Sequence, residues 1–160
     1  MTNREFIYTI YIKTTPEKLW AAITNPEFTR QYWGKENVSS WEKGSKWKSV
    51  SNDDKRTVRI TGEVLESIRP KRLVLTWAAP DDATDTSRVT FEIEPIEDMV
   101  RLNVRHGNFK AGLKMAGKVA VGWPLVLSSM KSFLETGKAL DIWAGHTTDC
   151  VATATKGAAA

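Results

Sequence analysis

His106 and His146 are the two residues of this chain best suited to acid–base or metal chemistry near neutral pH. His106 continues an alternating run with Val100, Leu102 and Val104, so its side chain is expected on the buried face, near the end of a strand. There it could donate a hydrogen bond to a ligand or act as a base. The simpler interpretation is a histidine at the rim of a cavity.

Other catalytic arrangements find little support in the sequence. His146 precedes Cys150 by four residues, which would place both on one helix face, but two ligands are too few for a zinc site. No serine–histidine–aspartate set, phosphate-binding loop or dinucleotide fingerprint is evident. Glu63 and Glu66 could serve as acids, although Glu63 has outward parity. We therefore predict no catalytic residue, no metal and no cofactor, and we expect that the chain is not an enzyme.

Large aromatic residues are the stronger signal. Seven tryptophans are many for 160 residues, and they are dispersed along the chain. Those expected around one internal space are Trp33, Trp47, Trp77, Phe91 and Trp123. Ordinary core packing and an aromatic-lined pocket for a bulky apolar ligand both remain open. We predict that this set, together with His106, Leu127 and Met130, binds a ligand.

A long C-terminal helix is predicted from Gly122-Trp123-Pro124 onward, after a loop over Asn108–Ala116. Its apolar residues recur at intervals of four, three and four and form one stripe, which is Trp123, Leu127, Met130 and Leu134, widened by Val119, Val126 and Phe133. A tryptophan at the start of this helix is expected at the wall or mouth of a cavity.

Seven strands with short turns are predicted before that helix, and short turns indicate antiparallel pairing. The predicted strands are Glu5–Ile12, Val38–Trp41, Ser45–Ser51, Lys55–Ile68, Arg72–Trp77, Thr86–Glu94 and Met99–His106. Alternation of apolar and charged residues predicts one buried and one solvated face. Between the first two strands, Thr14 or Thr15 and then Asn25-Pro26 indicate two short helices, the second over Glu27–Tyr32.

Composition excludes several classes of protein. The net charge of +4 is spread along the chain, so we predict no nucleic-acid partner. No apolar run is long enough for a membrane span, and the polar N-terminus and single cysteine favour a cytoplasmic protein. We predict one domain over residues 1–140 and a poorly structured tail over residues 141–160.

Five segments of the chain, taken in order, carry a family resemblance. They are Ile12-Lys13-Thr14-Thr15-Pro16-Glu17-Lys18-Leu19-Trp20-Ala21-Ala22-Ile23-Thr24-Asn25-Pro26 with Trp33, Gly44-Ser45-Lys46-Trp47, Gly62-Glu63-Val64, Arg72-Leu73-Val74-Leu75-Thr76-Trp77, and Gly122-Trp123-Pro124 with the helix after it. Over about residues 5–138 the chain resembles the START-like, or polyketide cyclase and lipid transport, superfamily. Within it, the chain is most similar to the C-terminal domain of the activator of heat-shock protein 90 ATPase.

The resemblance implies an α+β helix-grip fold, in which a curved seven-strand antiparallel sheet wraps a long C-terminal helix and leaves a cavity between them. Two departures from the family pattern are Ser45, where a second glycine is frequent, and Asp98-Met99, where Gly-Thr is frequent. Members bind hydrophobic ligands, catalyse cyclisation or assist chaperones, and the fold does not select among these roles.

We expect a small hydrophobic molecule as the ligand and a monomer or weak dimer. The alternatives are a stress-related co-chaperone that binds and stimulates a heat-shock ATPase, and a cyclase- or hydrolase-like enzyme that acts in the same cavity through His106 or a carboxylate.

Overall fold

The computed structural model describes residues 5–109 and 114–142, and within these it leaves out the side chains of Ala83, Lys114 and Met115. Seven strands form one antiparallel sheet in the order β1-β7-β6-β5-β4-β3-β2. The strands are β1 (Glu5–Ile12), β2 (Lys35–Ser39), β3 (Lys46–Ser51), β4 (Val58–Ile68), β5 (Arg72–Ala79), β6 (Asp82–Ile96) and β7 (Met99–Gly107). The helices are α1 (Pro16–Thr24), α2 (Pro26–Trp33) and α3 (Lys114–Thr136). The α+β helix-grip architecture is confirmed.

Helices α1 and α2 begin where their capping residues predict. The Thr15 side chain accepts a hydrogen bond from the Lys18 backbone N–H, and Pro16 occupies the first helical turn. Asn25 ends α1 and caps α2 by accepting from the Glu27 backbone N–H at 2.9 Å. Gly34 then adopts φ of 80°, which allows the chain to turn at once into β2.

The two faces of the sheet differ as the alternation predicts. On β6 and β7 the inward residues Val89, Phe91, Val100, Leu102 and Val104 are buried. The outward residues pair across strands: Arg72 contacts Glu66 and Glu92, and Arg101 contacts Glu94. These ion pairs are half-exposed, so each contributes little to stability.

Helix α3 begins at Lys114, eight residues before the predicted start at Gly122, so the predicted loop over Asn108–Ala116 is wrong for its last three residues. Trp123 therefore lies in the interior of the helix, and Pro124 is an internal proline. Proline normally costs about 3 kcal/mol at such a position. Burial of Val119 and Trp123 on either side of Gly122 offsets that cost. The predicted stripe is confirmed, because its members are buried or packed against the core.

Strand β2 is displaced from its predicted position. It covers Lys35–Ser39 rather than Val38–Trp41, and Trp41 has φ of 62°, which an extended strand does not allow. Similarly, β4 begins at Val58 rather than Lys55, because Arg56 has φ of 52° in the preceding turn. Strands β5 and β6 each extend beyond their predicted ends.

Ile142 is buried in the main core, two residues past the predicted end of the domain. The rest of the predicted tail, with His146 and Cys150, lies outside the described residues. No helix within the described ranges is long and apolar enough to cross a membrane.

Candidate functional site

Aromatic side chains from six elements meet between the sheet and α3. Trp33 ends α2, Trp47 lies on β3, Trp77 on β5 and Phe91 on β6. His106 comes from the end of β7, and Trp123 from the middle of α3. All six side chains are buried. We call this group the aromatic cluster; the structure brings together every aromatic residue of the predicted ligand-binding set.

The rings of the aromatic cluster contact one another directly, and Trp77 is their centre. Its ring centroid lies 5.2 Å from those of Trp47 and His106, and 5.5 Å from that of Trp123. Trp123 also packs against Trp33 at 5.6 Å and edge-on against Phe91 at 5.8 Å. Tilted and edge-to-face contacts of this kind are favourable for aromatic pairs. The cluster is therefore a contiguous, buried group of aromatic rings between the sheet and α3.

Leu127 and Met130, the aliphatic members of the predicted set, are buried on the same side of α3, one and two turns after Trp123. Further along this helix, Phe133 packs against Phe28 and Tyr32 of α2. The inner side of α3 thus changes from the Trp123 indole in its middle to aliphatic and phenyl groups toward its end.

His106 is 0% exposed, so it is an interior residue and does not lie at a cavity rim. Its Nδ1 accepts a hydrogen bond of 3.0 Å from the Trp123 indole Nε1–H. Because an indole only donates, Nδ1 carries no proton and the neutral ring holds its proton on Nε2. That nitrogen lies 2.7 Å from Ser87 Oγ, which in turn donates to the Trp77 backbone carbonyl at 3.2 Å. Both ring nitrogens are thus occupied by protein groups.

Burial lowers the pKa of His106 from 6.5 to about 3. Protonation of His106 would also place an Nδ1–H donor against the Trp123 N–H donor, so this hydrogen bond would be lost. His106 is therefore neutral at physiological pH, and its one basic lone pair is already used. This arrangement suits a fixed structural link between β6, β7 and α3 better than a general base.

A group of buried polar residues on α2, β2 and β3 was not predicted. Thr29, Asn37 and Ser49 are all buried. Thr29 Oγ1 is satisfied, because it accepts from the Asn37 backbone N–H at 3.0 Å and donates to the Pro26 carbonyl at 3.3 Å. Within the described part of the chain, Asn37 Oδ1 and Ser49 Oγ have no hydrogen-bond partner. The burial of Ser49 follows from the Trp47, Ser49, Ser51 alternation on β3, which sequence inspection could have noted.

The carboxylates considered as acids face away from this interior. Glu63 lies 3.9 Å from Lys46 Nζ, and Glu66 lies 2.6 Å from Arg72 Nε. No aspartate or glutamate is among the buried residues of the described ranges. The interior as described therefore combines aromatic surface with neutral polar groups and Lys35, whose side chain is also buried.

The outer face of the sheet carries a groove of about 760 Å³ that is lined by residues of mixed charge and by the exposed Tyr11 and Ile68. A second groove of about 600 Å³ crosses β2–β4, between Val38 and the two lysines Lys46 and Lys48. The first groove has no residue of the aromatic cluster in its lining, whereas the second is lined in part by Trp47.

Comparisons with known proteins agree with this architecture. The family model described as "Activator of Hsp90 ATPase homolog 1-like protein" matches residues 13–135. No curated protein matches the chain. A solved structure of an Hsp90 activator from Plasmodium falciparum is 25% identical, with a TM-score of 0.69, and the match covers 81% of this chain and 95% of that one. A protein from Mesorhizobium loti is 27% identical, with a TM-score of 0.70 and coverage of 82% and 97%.

CalU16 from Micromonospora echinospora shares the fold at 20% identity, with a TM-score of 0.70 and coverage of 88% of this chain and 80% of that one. Because the family model spans most of the chain, including α1, α2, strands β2 to β7 and nearly all of α3, the chain belongs to the family of Activator of Hsp90 ATPase homolog 1-like proteins.

Proposed function

We propose that this chain is a cytoplasmic protein that binds a small hydrophobic molecule between the sheet and α3, against the aromatic cluster. The observation that carries the proposal is the convergence of six rings from six elements on one interior position. A hydrophobic core needs only apolar volume, which aliphatic residues fill equally well. Several large rings that meet at tilted and edge-on angles offer aromatic faces and edges against which an aromatic or polycyclic ligand can pack.

The expected affinity sets the design of the experiment. An aromatic ligand that buries about 200 Å² of apolar area gains roughly 5 kcal/mol. That corresponds to a dissociation constant of roughly 0.2 mM before ordering costs, so simple probes must be tested up to millimolar concentration. A two-ring compound such as 2-naphthol is large enough to contact several indoles and soluble enough for such a titration.

Thermal unfolding with increasing 2-naphthol tests the proposal. A ligand that binds only the folded state raises the melting temperature in proportion to ln(1 + [L]/Kd). The variant Trp33→Leu should weaken this response, because Trp33 contacts both Trp77 and Trp123. The matched control is Trp20→Leu, a buried helical tryptophan of α1 that lies outside the aromatic cluster. Equal loss of the response in both variants, or no response in the parent protein, would defeat the proposal.

A second candidate function is that of a co-chaperone, and membership of the family favours it. Such a role would use exposed surface, for example the outer face of the sheet with Tyr11 and Ile68. The test is stimulation of a purified heat-shock ATPase by the chain. Trp33→Leu should leave stimulation intact, while charge-introducing changes at Tyr11 and Ile68 should reduce it. If the chain stimulates the ATPase and 2-naphthol does not change its melting temperature, the co-chaperone function would be the better supported of the two.

Catalysis by a cyclase- or hydrolase-like mechanism finds less support. His106 is neutral and bonded on both nitrogens, and Glu63 and Glu66 face outward in ion pairs. We therefore do not propose an enzymatic role.

A further inference from the structure

The geometry points to a hydroxyl-binding subsite formed by Asn37 and Ser49, which selects neutral hydrophobic alcohols or phenols as the ligand class. This inference rests on the proposed ligand-binding function and specifies its chemistry. Asn37 is 3% exposed and Ser49 is 1% exposed, yet Asn37 Oδ1 and Ser49 Oγ have no hydrogen-bond partner among the described residues. Buried polar atoms in folded proteins are normally paired, so an unpaired couple indicates a missing partner.

The two side chains are neighbours by strand register. Asn37 on β2 is paired directly with Ser49 on β3, and paired residues have Cβ atoms about 5 Å apart on the same face. One small group placed between them can therefore contact both. The adjacent satisfied residue, Thr29, already uses its hydroxyl to donate and to accept, so it cannot fill this role.

The position of the pair relates it to the aromatic cluster. Ser49 lies two residues after Trp47 on the inward side of β3, and Asn37 lies four residues after Trp33, across Gly34. A ligand with its apolar body against these indoles can extend one polar group to Asn37 and Ser49.

The chemistry of the two orphan atoms selects a hydroxyl group. Asn37 Oδ1 is an acceptor, so the ligand must donate, and Ser49 Oγ–H can donate to the same ligand oxygen. A single hydroxyl satisfies both at once. A methyl ether cannot donate to Oδ1. A carboxylate would place its own lone pairs against those of Oδ1, which is repulsive. An ammonium group would be repelled by the buried cation of Lys35, which already makes an interaction of its own.

The test compares three two-ring probes by isothermal titration calorimetry: 2-naphthol, 2-methoxynaphthalene and 2-naphthoate. The parent protein should bind 2-naphthol about tenfold more tightly than the ether, which is the effect of one net hydrogen bond of the usual strength. Asn37→Leu and Ser49→Ala should each bring this ratio close to one. A ratio near one in the parent, a ratio that survives both variants, or tighter binding of 2-naphthoate would overturn the inference, while binding of these probes would still support the proposed function.

Stability provides an independent readout. Removing an unpaired buried polar atom should hold or raise the melting temperature of ligand-free protein, by up to about 2–4 °C. Thr29→Val is the control: it removes a satisfied hydroxyl and leaves the Asn37 N–H without its acceptor, so it should lower the melting temperature. If Asn37→Leu and Ser49→Ala both lower the melting temperature as Thr29→Val does, the two polar atoms stabilise the ligand-free fold. That result would refute the hydroxyl-binding subsite. If none of the probes binds at all, the proposed function fails and this inference fails with it.

Discussion

Trp123 Nε1 donates a hydrogen bond of 3.0 Å to Nδ1 of His106, and this contact fixes the tautomer of a histidine that is completely buried. It joins the middle of α3 to the end of β7. Ser87 completes the chain of hydrogen bonds on the other side of the ring. His106 thereby holds the helix and the sheet in one arrangement around the aromatic cluster.

The first prediction concerns pH. The pKa of His106 is lowered from 6.5 in the unfolded chain to about 3 in the folded protein. Between about pH 6.5 and pH 3, the unfolded chain binds a proton at His106 and the folded protein does not. The free energy of unfolding therefore keeps its full value above about pH 6.5 and declines as the pH falls toward 3. The slope should reach about 1.4 kcal/mol per pH unit. Urea unfolding of parent protein and His106→Gln between pH 5 and 7 measures the difference.

In His106→Gln this part of the slope should vanish. The same change at His146, the other histidine, serves as the control substitution. A ¹⁵N spectrum should show Nδ1 of His106 unprotonated and Nε2 protonated throughout this range. Protonation of His106 near pH 6 would contradict the hydrogen-bond chain.

The second prediction concerns the packing of α3. Met130 is fully buried on the predicted stripe, so Met130→Ala should lower the free energy of unfolding by about 2–5 kcal/mol. Val121→Ala, at a position on the same helix that is 52% exposed, should change it by less than about 0.5 kcal/mol. Urea unfolding measures both. A small loss at Met130 would mean that its side chain borders open space.

The third prediction uses two glycines. A Cβ at Gly62 would lie 2.0 Å from the Thr76 carbonyl oxygen and 2.3 Å from Trp47 Nε1, which donates to that same oxygen. Gly62→Ala should therefore cost about 3 kcal/mol or more, because backbone and a buried indole must both move. Gly117→Ala lies in α3 with nothing within 4 Å, and should raise stability by about 0.5–1 kcal/mol. In thermal unfolding, Gly62→Ala should lower the melting temperature and Gly117→Ala should raise it. Similar changes in both variants would mean that the Trp47 indole does not pack over Gly62.

The fourth prediction concerns the C-terminal segment. Its small-residue composition predicts that truncation after Gly145 leaves the melting temperature unchanged. Ile142, by contrast, is buried in the core, so Ile142→Ala should lower the free energy of unfolding by about 2–5 kcal/mol. A drop of many degrees after the truncation would show that residues beyond 145 contribute to the fold.

The sequence predicted those features that depend on short-range patterns. The alternation on β6 and β7 identified the inward residues, including His106, and the caps Thr15 and Asn25 identified the short helices. These succeeded because a strand has a period of two and a cap is a local hydrogen bond.

Other features depended on tertiary packing. The first turns of α3 were missed because Gly117, Gly122 and Pro124 all disfavour helix locally, while burial of Val119 and Trp123 stabilises it. The partners of His106 could not be read from the chain either, since Ser87 and Trp123 lie 19 and 17 residues away. Asn37 was missed because β2 was placed three residues too late, whereas Ser49 shares the inward alternation of Trp47 on a strand that was predicted and could have been noted.

The most direct test of ligand binding in the interior is a titration with 2-naphthol followed by the indole N–H signals in a ¹H–¹⁵N spectrum. We predict saturable shifts of the signals of Trp33, Trp47, Trp77 and Trp123, whose rings belong to the aromatic cluster. The backbone signals of Ile7 and Tyr11, which are exposed on β1, should stay unchanged. Shifts confined to β1, or no shifts of the four indoles up to millimolar ligand, would contradict the account.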